Sequence, residues 1–371
     1  MSACGGLALT FPYPRTNPVD FSKFFPSKDY QIVELQTKTN ALRNEMAAAL
    51  VEQDAEKVLR TIDEYLPYLL GIQRYVDESI EKEGKRPLIP DLEFQWTSSF
   101  SRRTGTFFTF YTLAFEFLMV YTCRMISEGN IAASQLDSVA TPADYENAAK
   151  GALARVKAAA GIAAYIHENV LPLRESLPYK RPPEVLKDFF RPIVLLYKCT
   201  AQQIATKQAA IKGMNRSLVA KLYVTAAKLL AECNVTLHQM DKDYNDFIPS
   251  LRAYSDGGSK FLKAVAMRYM AVDAWENKKF GTGEALIKEA HSYFEQALQS
   301  GVLSSASRSL AIRVDEEKTT IEKLKAQYEK ENGLIYFEPA KKMEGVPEGK
   351  EITATDFTPY VPPTAVTFHV V

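Results

Sequence analysis

Histidine and cysteine are scarce in this chain, four of each among 371 residues, and neither is spaced for metal or redox chemistry. His167, His238, His291 and His369 stand singly, with no second nitrogen or sulfur ligand at zinc-site spacing, so solvated or hydrogen-bonded roles account for them. Cys4, Cys123, Cys199 and Cys233 form no C-x-x-C pair. The last three lie in apolar helical sequence, where a free thiol behaves as a small buried hydrophobe, and this usage fits a reducing, cytoplasmic setting. Net charge is missing as well: 45 Lys+Arg balance 45 Asp+Glu, which removes the global electrostatic pull toward nucleic acid. A phosphate loop of the form G-x-x-x-x-G-K-[ST], an H-E-x-x-H helix and a G-x-S-x-G elbow are also absent. No catalytic residue, metal, cofactor or small-molecule substrate is therefore assigned.

Two weak chemical signals have plainer readings. Gly281-Thr282-Gly283-Glu284 is a fragment of a Gly-rich loop, but it lies between two helical stretches and reads as a hairpin turn. Glu316-Glu317 has Lys318, Lys323 and Lys325 nearby, which describes a solvated helix face better than a general-acid pair. The start of the chain has no basic segment followed by an apolar run and no glycine at position 2, and the end, Phe368-His369-Val370-Val371, has no prenylation box. The longest apolar stretch, Phe107 to Met125, contains Glu116 and three threonines, so it is expected to be a central buried helix rather than a membrane span.

What the sequence does have is helical periodicity, and the expected fold class is all-α. A proline- and aromatic-rich irregular segment covers residues 1–27, a helical body residues 28–331, and an extended strap residues 332–371, all in one domain. A helix beginning near Lys28 is followed by one over 54–82, in which Pro67 predicts a kink or break near Leu66. Residues 85–90 form a connector, and Leu92 to Thr97 alternates like a short strand. Thr141-Pro142-Ala143-Asp144 is a capping-box-like start for an alanine-rich helix to about Val170. Pro182-Pro183 opens the next helix, which should end at Gly213, and Asn215 is the expected N-cap of a helix to about Gln239. A hairpin follows over 260–278 and 283–300, then a long helix over 307–330. Such short-linked helices resemble tetratricopeptide-like stacks, although the strict consensus is missing. Asn332-Gly333 reads as a helix stop with glycine in the left-handed position, and Leu334-Ile335-Tyr336-Phe337 as an extended, packed segment.

One helix is wider in its apolar arc than a surface helix needs. At about 100° per residue, the apolar residues from Leu218 to Leu237 spread over roughly 140°. Leu218, Leu222 and Leu229 form one edge. That edge either accepts an apolar partner helix or is simply buried in a well-surrounded helix.

Phe94-Gln95-Trp96-Thr97, Ala158-Ala159-Ala160-Gly161, Ser217 to Leu222, Glu329 to Phe337 and Val361-Pro362-Pro363 occur in an order and spacing that resembles the BRO domain family, most closely its single-domain form. The resemblance runs from about residue 54 to the C-terminus. It implies a boomerang-shaped helical domain with a tetratricopeptide-like core, a small N-terminal β element and extended flanks. It also implies a non-enzymatic adaptor for endosomal sorting, cytoplasmic and recruited to endosomal membranes, whose partner is the C-terminal amphipathic helix of a Snf-type ESCRT-III subunit. By position, Leu218 and Leu222 match the apolar contacts of the family's groove, with Leu229 beside them, while Glu146 and Lys150 match its charged flank. Ala205 stands where a phenylalanine supplies a further contact elsewhere in the family, and Tyr336, followed by Phe337, matches a docking tyrosine. The alternatives are a helical-repeat scaffold for another protein and a peripheral membrane module, for which Lys180-Arg181 and Lys341-Lys342 are the basic candidates.

Overall fold

The computed structural model describes residues 8–24, 28–83, 93–139, 141, 143–171, 180–301, 308–340, 348–350 and 356–367. Cys4, the connector at 85–90, Pro142, Lys341-Lys342 and the last four residues lie outside them. Among the described residues the elements run α1 (Phe21–Phe24), α2 (Tyr30–Glu52), α3 (Ala55–Glu83), β1 (Phe94–Trp96), β2 (Phe108–Phe110), α4 (Leu113–Asp137), α5 (Tyr145–Tyr165), α6 (Phe190–Ile211), α7 (Arg216–Gln239), α8 (Pro249–Glu276), α9 (Phe280–Gln299) and α10 (Arg308–Glu331). The fold is all-α with one small sheet, in which β1 and β2 pair antiparallel with Phe94 opposite Phe110 and Trp96 opposite Phe108. Two compact units are formed, one from Phe11–Glu128, Gly161–Phe190 and Pro359–Val371, the other from Met1–Thr10, Gly129–Ala160 and Arg191–Thr358.

The first unit is organised by a buried ion pair. Glu116 on α4 accepts from Arg43 Nε on α2 at 2.9 Å, from the Tyr65 hydroxyl on α3 at 3.0 Å and from Trp96 Nε1 on β1 at 2.8 Å. Both side chains of the pair are fully inaccessible. Arg43 spends its remaining donors on the Asn17 carbonyl and the Thr16 hydroxyl, each at 2.8 Å, and packs over the Phe94 and Trp96 rings. Every charge-bearing atom is thus matched, the condition under which a buried pair is tolerated. The same network anchors the N-terminal segment, which also bonds along β1 through Asn17 N to Gln95 O and Thr97 N to Arg15 O.

A second buried acid lies in this unit. Glu184 accepts from the Ser98 hydroxyl and from the Ser99 backbone N–H at 3.0 Å. Burial outweighs these bonds and pushes its pKa up from 4.5 to about 7. Here the expected Pro182-Pro183 helix start fails. Pro183–Val185 makes one 3-10 turn that points Glu184 inward, and α6 begins only at Phe190.

Two further expectations change in this unit. α3 is one continuous helix through Pro67, so the chain does not break there, and the Pro67 carbonyl accepts from Val366 N at 3.0 Å, which ties the strap segment to the helix. The apolar stretch from Phe107 does not start as helix. Phe108–Phe110 is a strand because its aromatic alternation pairs with Phe94–Trp96, and the helix begins after Thr112. Among the described residues no helix is long and apolar enough to cross a membrane.

In the second unit, α7, α8, α9 and α10 pack in sequence order, as hairpin stacks do. Asn215 caps α7 by accepting from Ser217 N at 2.8 Å, and Gly213 closes α6 with φ 69°, both as expected. The turn between α8 and α9 falls at 277–279, so Gly281-Thr282-Gly283-Glu284, expected to be the hairpin turn, instead forms the first turn of α9, and α8 starts earlier than periodicity suggests, at Pro249. Thr141 Oγ1 and Asp144 Oδ2 lie 2.6 Å apart, but α5 starts only at Tyr145, three residues later than a Thr141 N-cap would place it, so the cap position falls to Asp144.

Candidate functional site

The residues assigned to partner binding lie on α5, α6 and α7, all in the second unit. Three contacts bring those helices together. The Tyr145 hydroxyl on α5 donates to the Ile204 carbonyl on α6 at 3.2 Å. Lys212, just past α6, pairs with Glu146 at 2.6 Å. Gln202 Nε2 on α6 donates to the Leu222 carbonyl on α7 at 3.2 Å.

The edge of α7 divides. Leu218 and Leu229 are half-buried, whereas Leu222 is only 3% exposed. The reason is angular. Val219, Ala226, Leu230 and Leu237 are buried and centre the core face roughly 100° round from Leu218, so Leu229 at about 20° stays at the rim while Leu222 at about 40° turns under. Leu222 is therefore not the exposed contact that the resemblance implies. Ala205 is half-buried, and Glu146 and Lys150 are exposed. Glu146 already serves Lys212, which leaves Lys150 as the flank's unengaged charge among the described residues.

A neighbour of this edge was not foreseen. Lys350 N donates to the Lys221 carbonyl at 3.2 Å, and Gln202 Nε2 also reaches the Lys350 carbonyl at 3.3 Å. Gly349 sits so close to α7 that a Cβ there would lie 2.5 Å from Thr225 Oγ1 and 3.2 Å from its backbone nitrogen, so only glycine fits. Strap residues 349–350 thus border the Leu218–Leu229 edge on its Lys221–Thr225 side.

The second candidate, Tyr336 with Phe337, departs further from expectation. Asn332-Gly333 does not stop the helix: α10 passes into a π turn over Asn332–Tyr336, and the left-handed residue is Phe337, φ 54°. Asn332 directs this. Its side chain donates to Glu284 at 2.6 Å and to the Glu338 carbonyl at 2.8 Å, and accepts from Glu338 N at 3.0 Å. Tyr336 stacks on Phe280 with centroids 3.5 Å apart, edge-on to Trp275, which itself stacks on Tyr328. Leu334, Ile335 and Phe337 face solvent instead of packing as a strap. The Gly281-Thr282-Gly283 fragment takes its place here, because Pro339 passes so close to Gly281 that a side chain would collide with the Pro339 carbonyl, and Gly281 N donates to Glu338 at 2.9 Å.

Sequence reasoning also missed a charged cleft of about 490 Å³ between α6, α7, α8 and α10, lined by Lys207, Tyr223, Arg268, Arg313 and Glu317 among others. Glu317 is not solvated as expected but takes Arg268 in a two-pronged pair at 2.8 and 3.1 Å. Burial opposes the Arg268 charge, yet the adjacent Glu317 carboxylate more than compensates and holds the guanidinium pKa above its ordinary value. Arg313 donates to Gln203 at 2.9 Å. No signal at helical spacing could have matched α8 to α10. Burial raises the pKa of Cys123, Cys199 and Cys233, so these thiols are poor nucleophiles, and the described residues hold no group of side chains able to bind a metal.

Three solved structures share this architecture. The ALIX BRO1 domain in complex with CHMP4C is 19% identical with a TM-score of 0.68, over 97% of this chain and 96% of that one. A structure concerned with endosomal targeting by the Bro1 domain is 17% identical with a TM-score of 0.65, over 98% and 94%. ALIX in complex with the SIVmac239 PYKEVTEDL late domain is 19% identical with a TM-score of 0.69, over 98% of this chain and 50% of that longer one. At such identities the likeness establishes the fold. No curated protein sequence gives a significant match. The family model of the BRO1-like domain matches residues 22–368, and the chain belongs to that family.

Proposed function

We propose that this chain is a non-enzymatic, Brox-like adaptor of endosomal sorting, one domain over residues 1–371, that binds the C-terminal amphipathic helix of a Snf-type ESCRT-III subunit. The observation that carries the reading is the half-buried Leu218 and Leu229 edge of α7, which packs beside α6 through the Gln202–Leu222 bond, in a chain of the family whose ALIX member is solved with CHMP4C. A partner helix with apolar residues at i, i+3 and i+4 lies on Leu218 and Leu229, and Lys150 meets its acidic side. Leu222 acts from beneath by holding Leu218 at the rim, and strap residues Gly349 and Lys350 form one border. Ala205 leaves the groove shallower than a phenylalanine would. Covering two half-buried leucines is worth at most about 3 kcal/mol, and the incoming helix must be ordered, so micromolar affinity is expected. The protein works in the cytoplasm, reaches endosomal membranes through this partner, and uses Tyr336 as a secondary docking position.

Isothermal titration of the C-terminal peptide of such a subunit tests the site. Leu218→Asp is expected to abolish binding while leaving the circular dichroism spectrum unchanged, because Leu218 is at the rim. A folded Leu218→Asp variant that binds like wild type would falsify the assignment.

A further inference from the structure

Residues 359–367 run along the first unit without helix or strand, and their composition limits how they can be held. Pro359, Pro362 and Pro363 have no N–H to donate. Among the described residues a single backbone hydrogen bond ties this stretch to the body, from Val366 N to the Pro67 carbonyl at 3.0 Å. Gly71 makes room for it, since a Cβ there would lie 3.0 Å from the Val366 carbonyl oxygen. Before that bond, Pro362, Pro363 and Ala365 border an open cleft of about 380 Å³ against Leu70 and Arg74 on α3, and Val361 is 80% exposed. The hold is therefore concentrated at two points, of which Val366 is one.

The other is Tyr360. Its ring packs edge-on against Tyr121 on α4 and Tyr165 at the end of α5, with centroids 5.7 and 5.2 Å away, and lies 5.1 Å from the Arg124 guanidinium. Arg124 is already committed, to Asp63 on α3 at 2.9 Å and to Glu128 at 3.5 Å. Two carboxylates and one guanidinium thus surround an uncharged phenol. Burial pushes the Tyr360 hydroxyl pKa up to about 12, an effect that Arg124 offsets only in part and Asp63 reinforces, so the seat accepts the ring neutral and resists charge on its oxygen. Tyr360 is half-buried between exposed Pro359 and Val361 in a stretch with no secondary structure, so a small local opening delivers it to an enzyme that reads extended peptide. We propose that Tyr360 is a phosphorylation site for a protein tyrosine kinase, and that its phosphorylation releases residues 359–367 from the first unit.

In the transfer, the Tyr360 oxygen forms a bond to the γ-phosphorus of ATP as the bond from that phosphorus to the β–γ bridging oxygen breaks; the phenolic proton passes to the kinase's base and ADP leaves. The product carries about −1.5 to −2 charges at neutral pH, at a seat where Asp63 and Glu128 outnumber Arg124. For Arg124 to take the phosphate it must give up both acids, leaving two carboxylates beside a phosphodianion. Repulsion and the cost of desolvating the phosphate both favour the ring outside. With Tyr360 out, the Val366 bond is the remaining tie, and a lone backbone hydrogen bond does not hold a proline-rich stretch in place. The seat belongs to the first unit and is independent of the partner-helix edge of the second.

The test treats the full chain with a recombinant tyrosine kinase and ATP, maps the modified residues by mass spectrometry and follows hydrogen exchange at the Val366 amide, which the Pro67 carbonyl protects. Tyr360 is expected to be modified, and exchange at Val366 to quicken about tenfold or more. Tyr360→Phe keeps the ring in its seat and should retain slow exchange under the same treatment, which separates the effect from modification of the exposed Tyr30 and Tyr111. Asp63→Asn removes one of the two repelling carboxylates, so its phosphorylated form should quicken less than phosphorylated wild type. Tyr360 left unmodified, with Tyr30 or Tyr111 labelled to show an active kinase, overturns the proposal. So does phosphorylated Tyr360 with unchanged or slower exchange at Val366, which would mean that Arg124 grips the phosphate in place.

Discussion

The two units differ in the depth of their best-matched charges, the Arg43–Glu116 pair of the first being fully inaccessible and the Arg268–Glu317 pair of the second lining an open cleft. In the first, the strongest polar groups are turned inward and matched: Arg43, Glu116, Tyr65 and Trp96 satisfy one another, and Glu184 is capped by Ser98 and Ser99. In the second, helices that are otherwise well packed leave particular side chains out, Leu218 and Leu229 on α7 and Leu334, Ile335 and Phe337 after α10. The contrast separates two tasks. A unit locked by buried charges tolerates little change and behaves as a scaffold, while rim leucines on a rigid helix can be altered at small cost to the fold and so are available for binding.

The lock should break most severely at its centre. Glu116→Ala leaves the Arg43 guanidinium buried without a counter-charge, and a loss of about 3–5 kcal/mol is expected, read as a lower urea midpoint. A change under about 1 kcal/mol would mean that water reaches the site and that the two units are less different than described.

Glu184 sharpens the same comparison through pH. Because folding raises its pKa, the folded chain holds this proton more tightly than the unfolded chain. The resulting stabilisation is complete below the ordinary value of 4.5 and is lost as pH rises through about 7. It amounts to at most about 3 kcal/mol. Glu184→Gln imitates the protonated carboxyl, so its stability should decline less than that of wild type between these two pH values. Parallel curves would exclude Glu184 as the titrating group.

Within the second unit, Leu222→Ala and Leu218→Ala test the turn of the α7 edge. Leu222 is buried, and its truncation should cost about 2–4 kcal/mol through lost contacts and a cavity. Leu218 is at the rim and should cost under about 1 kcal/mol. Equal losses would contradict the angular account of why one leucine faces the core and the other the groove.

Local chemistry was legible in the sequence and distant pairing was not. The Asn215 cap and the Gly213 stop are fixed by residues close in sequence and were readable, whereas the start of α5 and the turn between α8 and α9 were each misplaced by two or three residues. Glu116 was noticed only as a charge in an apolar run, because its partner Arg43 is 73 residues away. Glu317 looked solvated because Arg268 belongs to another helix. The α7 edge was visible as an over-wide arc, but periodicity could not say that Leu222 turns under while Leu218 stays out. At Asn332-Gly333 a sound local rule lost to tertiary contacts: with Asn332 held by Glu284 and Glu338, the turn continues and the left-handed position moves to Phe337.

The smallest expected effect bears most directly on the exposed side of the comparison. Leu334→Ser and Phe337→Ser remove large apolar groups that contribute little to the packed core, so each should remain within about 0.5 kcal/mol of wild type in urea unfolding. If either proved costly, the side chain would be bracing the π turn rather than waiting for a partner. Near-neutral stability means instead that the fold does not need these residues, and their display must be accounted for by what they touch outside it.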